Sequence, residues 1–170
     1  MKVNISRAID DDAESISGIW KVICAERIYT AINRPFTQSQ IKRYLSNLSD
    51  REGTFVGKVD GQVVGFQSLD LFAKYTDSFD HVGVIGTFIL PEWRRKGVAH
   101  LLAEHVIDYA RNNHYEKFII YVRGGNKNAQ AFYRSLGYNQ KGILTNQVKI
   151  DGKYEDEIFF ELFLENYKFK

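Results

Sequence analysis

The period of the apolar positions changes several times along the chain, and each change marks an element. Val3 and Ile5 alternate with polar residues, so Lys2 to Arg7 reads as a first strand. Asp10, Asp11 and Asp12 then offer N-caps and negative charge to a helix from about Ala13 to Tyr29. Thr37-Gln38-Ser39-Gln40 opens a second helix that ends near Leu48. Thr54 to Val59 and Gln62 to Leu71 read as strands joined by Asp60-Gly61, a two-residue hairpin signal. From His81 onward the order becomes strand, helix, strand, helix. Val82 to Leu90 is the strand. Val98, Leu101, Leu102, His105, Val106 and Tyr109 fall on one face of the helix after it. Phe118 to Val122 shows no alternation, which predicts a strand covered on both faces. Asn128 to Leu136 predicts a short helix stopped by Gly137. Asn146 to Ile150 and Tyr154 to Leu164 close the chain as strands around the turn Asp151-Gly152.

These elements predict one α/β domain over residues 1–170, with a mixed, mostly antiparallel sheet of about seven strands flanked by about four helices. A length of 170 residues favours one domain, and 44% hydrophobic with 14% aromatic residues suffices for a core. The 23 basic residues against 21 acidic ones give a net charge of +2, too little for a typical nucleic-acid binder, so any cationic site must be local. Cys24 stands alone in the apolar stretch Ile19 to Ala25, where packing is expected rather than a catalytic thiol. No apolar run approaches membrane-spanning length and Met1 to Arg7 carries no signal-peptide core, so a cytoplasmic location is expected.

The chemistry concentrates in Pro91-Glu92-Trp93-Arg94-Arg95-Lys96-Gly97-Val98-Ala99, between a strand and a helix start. Unpaired amides and the positive dipole end favour an anion there, and three consecutive cations add charge. Gly97 removes a side chain where backbone meets a ligand, and a pyrophosphate fits such a loop. Taken alone, the fragment reads equally well as a basic helix start. Neither a dinucleotide-binding Gly-x-Gly-x-x-Gly nor a Gly-Lys-Ser/Thr ending is present.

Arg94, Gly97 and Ala99 fit the pattern Arg/Gln-x-x-Gly-x-Gly/Ala, which resembles the acetyl-CoA loop of the GNAT superfamily of N-acetyltransferases. Asn126-x-x-Ala129-x-x-x-Tyr133-x-x-x-Gly137-Tyr138 is similar to the second signature of that family, and Asp151-Gly152-Lys153-Tyr154 before Glu155-Asp156-Glu157 to the ending of many small members. The resemblance implies an acyltransferase that moves the acetyl group of acetyl-CoA to a primary amine by direct attack, without a metal. In that reading the amides of Arg95, Lys96, Gly97, Val98 and Ala99 hold the pyrophosphate. The main chain around Phe88 and Ile89 pairs with the pantetheine arm and polarises the thioester carbonyl, and Asn126 bonds the pantetheine amides. Tyr133 protonates the departing thiolate, since a phenol of pKa about 10 can serve a thiol of about 8.5.

The family pattern departs at the base. Positions often acidic in relatives hold Val84 and Tyr121, leaving His81, Glu26, Asp70 and His105 as candidates, with His105 on the apolar helix face. The resulting expectation is that water, ordered by His81 or a backbone carbonyl, carries off the amine's proton. Glu26, Tyr29 and His81 are the candidate substrate residues, and the first helices with the loops near Tyr29, Phe36 and Phe72 to Phe79 are expected to grip the acceptor. That acceptor, a small amine, amino acid, polyamine or protein amine, is not encoded in any motif. Partners beyond acetyl-CoA and the amine are not expected, neither nucleic acid nor membrane, and the chain is expected as a monomer or homodimer. The missing carboxylate supports one alternative, a non-catalytic acyl-CoA-binding module.

Overall fold

The computed structural model describes residues 2–169. Its order is β1 (Asn4–Arg7), α1 (Ala13–Glu26), α2 (Gln38–Ser46), β2 (Gly53–Val59), β3 (Gln62–Leu71), β4 (Val82–Ile89), α3 (Val98–Asn112), β5 (Lys117–Arg123), α4 (Lys127–Ser135), β6 (Asn139–Ile150) and β7 (Lys153–Phe163), with short 3₁₀ turns between. The strands form a 7-stranded sheet in the order β1-β2-β3-β4-β5-β7-β6. Only β4 and β5 run parallel; the other neighbours are antiparallel. This is the mixed, mostly antiparallel architecture with four α-helices that the apolar pattern predicts.

Local chemistry explains several boundaries. Asp60 and Gly61, at φ 49° and 82°, and Asp151 and Gly152, at φ 50° and 78°, make hairpin turns whose two positive φ values suit the strand twist. At the start of α2 the Thr37 hydroxyl accepts from the Gln40 amide at 3.3 Å while the Gln40 side chain accepts from the Thr37 amide at 2.8 Å. Helix α1 stops at Glu26 rather than near Tyr29, because Arg27 turns left-handed at φ 60°. Asp12 does not cap α1; its carboxylate accepts from the Ile9 amide at 3.0 Å and pairs with Lys58 at 2.6 Å.

Helices α3 and α4 cover one face of the sheet and α1 and α2 the other, giving two apolar cores. The buried stripe of α3 is Val98, Leu102, Ala103, Val106, Ile107 and Ala110, rotated from the predicted face, and Leu101 and His105 are exposed. Strand β5 is buried on alternate residues only, with Phe118, Ile120 and Val122 inward and Tyr121 exposed, so it is not covered on both faces. Strand β6 is longer than predicted, and it carries two register shifts against β7.

One irregularity positions everything that follows. Parallel pairing of β4 with β5 holds for three residue pairs, Val82–Lys117, Gly83–Phe118 and Val84–Ile119, and then stops. Beyond it the strands part, and a slot opens between Ile85–Phe88 and Ile120–Arg123.

Candidate active site

The loop at the end of β4 is set by backbone geometry. A 3₁₀ turn, Pro91–Trp93, leads to Arg94 in extended conformation, Arg95 at φ 59° and Gly97 at φ 85°, the N-cap of α3. A side chain at Gly97 would meet no atom within 4 Å, so glycine is needed there for the left-handed conformation and for open access. Val98 is buried and anchors the helix start, while Ala99 is half-buried. The amides of residues 95–99 meet no acceptor among the described residues. They lie at the start of a 15-residue helix, where the dipole end adds positive potential.

The three cations of this loop differ. Arg95 and Lys96 are exposed, with the Lys96 ammonium 5.0 Å from the Trp93 ring centroid. Arg94 is turned inward. Its Nε donates to the Ile89 carbonyl at 3.1 Å, and its two terminal nitrogens donate to Glu26 at 2.8 and 2.5 Å. Its guanidinium also lies over the Tyr29 ring at 4.3 Å. Arg94 therefore braces the loop against the end of α1, and Glu26 is engaged in that brace rather than free to take a proton.

Strand β4 presents main chain to the slot. Leu90 donates to Val64 and Phe72 to Val82, which fixes the phase of the β3–β4 ladder. In that phase Val84, Gly86 and Phe88 turn their peptide groups to β3, and Ile85, Thr87 and Ile89 turn theirs to the slot. Of the two residues expected to offer main chain to a ligand, Phe88 is thus turned to β3 and Ile89 faces the slot, with Thr87 beside it. The Ile89 carbonyl is taken by Arg94, so its amide remains. Phe88 instead contributes its ring, 4.3 Å from Trp20 and 5.1 Å from Phe66 between centroids.

Tyr133, on α4, is buried, and its hydroxyl donates to the Thr87 hydroxyl at 3.0 Å across the slot. Burial pushes the phenol well above its ordinary range, only partly offset by Thr87, so it keeps its proton at neutral pH. Asn126 caps α4: its Oδ1 accepts from Ala129 at 3.1 Å and its Nδ2 donates to the Tyr29 carbonyl at 3.3 Å. One amide hydrogen and one lone pair are left for a ligand. A cavity of about 560 Å³ runs from the amides of the loop to Tyr133, lined by Tyr29, Thr87, Ile89, Arg95, Gly97, Asn126 and Phe132 among others.

The predicted substrate residues separate. Tyr29 lines the slot. His81 precedes β4 at its other end, where its carbonyl accepts from Glu116 at 2.8 Å. Thr87 lies six residues further along the strand, about 20 Å at the usual rise, so His81 does not reach the slot. His105 packs its ring 5.2 Å from Phe55, on the helix face away from it. Cys24 is buried, its thiol pushed up by that burial, and donates to the Ile32 carbonyl at 3.4 Å.

Three further side chains are brought in: Thr87, which no motif marks, Glu157 from the acidic ending, and Asp70, one of the candidate bases. Thr87 meets Tyr133. Glu157 on β7 lines a cavity of about 180 Å³ together with Gly86, Thr87, Tyr121 and Tyr133. On the same face of β7, Glu155 is bound by Arg123 and the Gly125 amide, and Glu161 by Lys117 and Lys141. Glu157 makes no side-chain bond or ion pair among the described residues, and burial pushes its carboxyl above the ordinary range. Asp70 on β3 enters a third cavity, of about 400 Å³, between the sheet and α1 and α2. No group of three or more His, Cys, Asp or Glu side chains suited to a metal ion occurs among the described residues. No helix there is long and apolar enough to cross a membrane.

A sequence model of the Acetyltransferase (GNAT) family matches residues 24–138. An uncharacterized N-acetyltransferase of Methanocaldococcus jannaschii is 26% identical over 102 residues, spanning 59% of this chain and 45% of that protein. The [ribosomal protein bS18]-alanine N-acetyltransferase of Escherichia coli K12 is 26% identical over 71% of this chain and 78% of its own length. Spermidine N(1)-acetyltransferase of the same strain is 31% identical over 72% and 68%. The chain thus spans less than half of the first relative and more than two thirds of the other two. A phosphinothricin acetyltransferase of Sinorhizobium meliloti, solved in complex with AcCoA, has the same fold, with a TM-score of 0.87 at 18% identity over 95% of this chain and 88% of that one.

Proposed function

The chain belongs to the GNAT family of acetyltransferases, and from that premise we propose that it transfers the acetyl group of acetyl-CoA directly to a primary amine. The observation that carries this reading is the row of unpartnered amides at residues 95–99, opening into a cavity that ends at the Tyr133 hydroxyl.

Acetyl-CoA, when bound, supplies the activated acetyl thioester. The amides of residues 95–99 bind its pyrophosphate, assisted by the exposed charges of Arg95 and Lys96. The slot edge of β4, chiefly the Thr87 peptide and the Ile89 amide, pairs with the pantetheine arm, and an amide there donates to the thioester carbonyl. Asn126 contributes its remaining amide hydrogen. Tyr133 Oη holds a proton for the departing sulfur, and Thr87 keeps the hydroxyl pointed across the slot.

The acceptor enters from the α1–α2 face through the cavity that reaches Gly86 and Phe88, and meets the slot that Tyr29 lines. Glu157 takes the proton of its ammonium, in place of the water route suggested by Val84 and Tyr121. The groups around it are Tyr121 and Arg123 on β5, Glu155 on β7 and Tyr133 on α4. The Arg123 charge is directed to Glu155 and to the Arg27 and Thr30 carbonyls, so Glu157 retains a carboxylate without a cation. Cys24 is buried and hydrogen-bonded, so the acetyl group passes without an enzyme thioester.

A thiol-release assay with acetyl-CoA over a panel of amines, amino acids, polyamines and peptides tests the reading. Amine-dependent release is expected. Tight acetyl-CoA binding without release for any amine would favour a binding module.

A further inference from the structure

The cavity between the sheet and α1 and α2 has aromatic walls and one charge. Trp20 lines it, with ring centroids 5.2 Å from Phe36, 5.8 Å from Phe66 and 4.3 Å from Phe88. Among the residues that line it, Asp70 alone carries a charge, and no Lys, Arg or His joins them. The Asp70 carboxylate is fixed, because Tyr44 Oη donates to Oδ1 at 2.8 Å. Burial raises this carboxyl, and the Tyr44 bond and Lys74 only partly oppose burial and the nearby Glu52. A cation arriving from solvent therefore meets a partly desolvated, positioned carboxylate. A carboxylate on the arriving molecule would find no counter-charge and would lose its water unpaid.

The register places this charge at a distance. Asp70 stands opposite Val84, Ser68 opposite Gly86 and Phe66 opposite Phe88 on the β3–β4 ladder. Thr87, where Tyr133 marks the reacting end, lies three residues beyond Val84, about 10 Å along the strand. That is too far for Asp70 to touch the reacting nitrogen, and it suits a second charge on the same molecule. The stretch between is bounded by Trp20, Phe66 and Phe88, which favour methylenes and the π-face contacts of a cation.

We propose that the acceptor is an amine with a second cationic nitrogen, a diamine or polyamine without a carboxylate, whose distal ammonium is held by Asp70 while the other end reaches Gly86 and Thr87. The inference rests on the acetyltransferase reading and narrows its acceptor.

The test compares α,ω-diaminoalkanes of increasing length with monoalkylamines of the same length, in the wild type and in Asp70→Asn, which can keep a hydrogen bond to Tyr44. In the wild type kcat/KM for the best diamine exceeds that for its monoamine by about tenfold or more, carried mainly by KM. In Asp70→Asn that ratio falls to near one, and in Asp70→Glu the preferred diamine becomes shorter. Thermal shift provides a readout that needs no turnover: the diamine raises the Tm of the wild type and not of Asp70→Asn. A wild type that does not distinguish the two amines, or a diamine shift that survives Asp70→Asn, would overturn the proposal. Diamine binding to a protein that releases no thiol would sustain the pocket assignment and count against the acetyltransferase reading alone.

Discussion

The two cavities that meet along β4 are built from different parts of the chain. On the α3 side the polar groups offered to a ligand are mostly main chain: the amides of residues 95–99 and the slot edge of Thr87 and Ile89. On the α1 side they are side chains, Asp70 and Tyr44 among aromatic walls. A main-chain site depends on where the backbone goes, so it constrains the few residues that set φ, such as Gly97, and tolerates variation elsewhere. A side-chain site depends on what each residue carries and can be rebuilt without moving a strand. One fold can thus keep its cofactor while changing its acceptor.

The sharpest way to break this comparison is Gly97→Glu. It forces a side chain into the left-handed region and sets a carboxylate against the amide row, so acetyl-CoA binding should be lost. Arg95→Gln leaves the same amides in place and should weaken affinity only a few-fold. Isothermal titration of both variants decides it, and equal losses would show that charge rather than backbone carries the site. Tyr133→Phe keeps the packing and removes the proton. Turnover should fall by up to about 10²-fold with acetyl-CoA affinity little changed, as initial rates and titration would report.

Glu157→Gln should cost less, about tenfold near neutral pH, and should change the shape of the pH profile. With its carboxyl pushed up by burial, the wild type gains activity as pH rises through that raised value and then levels off. The variant should instead follow the free-base fraction of the acceptor. Two acceptors of different amine pKa, each measured as kcat/KM against pH, separate the cases; identical profiles for wild type and variant would return the proton to water. The smallest effect is expected of Arg94→Gln. It removes the brace to Glu26 and Ile89 at a half-buried site, worth about 1–2 kcal/mol in thermal unfolding, with a modest loss of acetyl-CoA affinity.

What could be read in the sequence follows the same division. The loop from Pro91 to Ala99, both hairpin turns and the α4 signature depend on local backbone chemistry, and local patterns reveal them. The buried face of α3 differs from the apolar pattern because alanines carry the contact: Ala103 and Ala110 are buried while Leu101 is exposed, and the packing of the sheet decides the rotation. Strand β6 hid its first half because it is an edge strand with two register shifts and few buried residues. Arg94 reads as a phosphate ligand until Glu26, distant in sequence, is seen to hold it. Glu155, Glu157 and Glu161 look alike in a strand of period 2. Only Arg123, Lys117 and Lys141, brought in by β5 and β6, leave Glu157 as the one without an ion pair among the described residues.

The most direct test of the central claim, a main-chain site for acetyl-CoA, is the shift in Tm produced by acetyl-CoA set against those of ATP and NAD at equal concentration. A ligand that binds only the folded chain stabilises it by about 2.7 kcal/mol at a hundred times its Kd, enough to separate the three. A shift with acetyl-CoA well above those of ATP and NAD is the predicted result, and an equal or larger shift with ATP would contradict it.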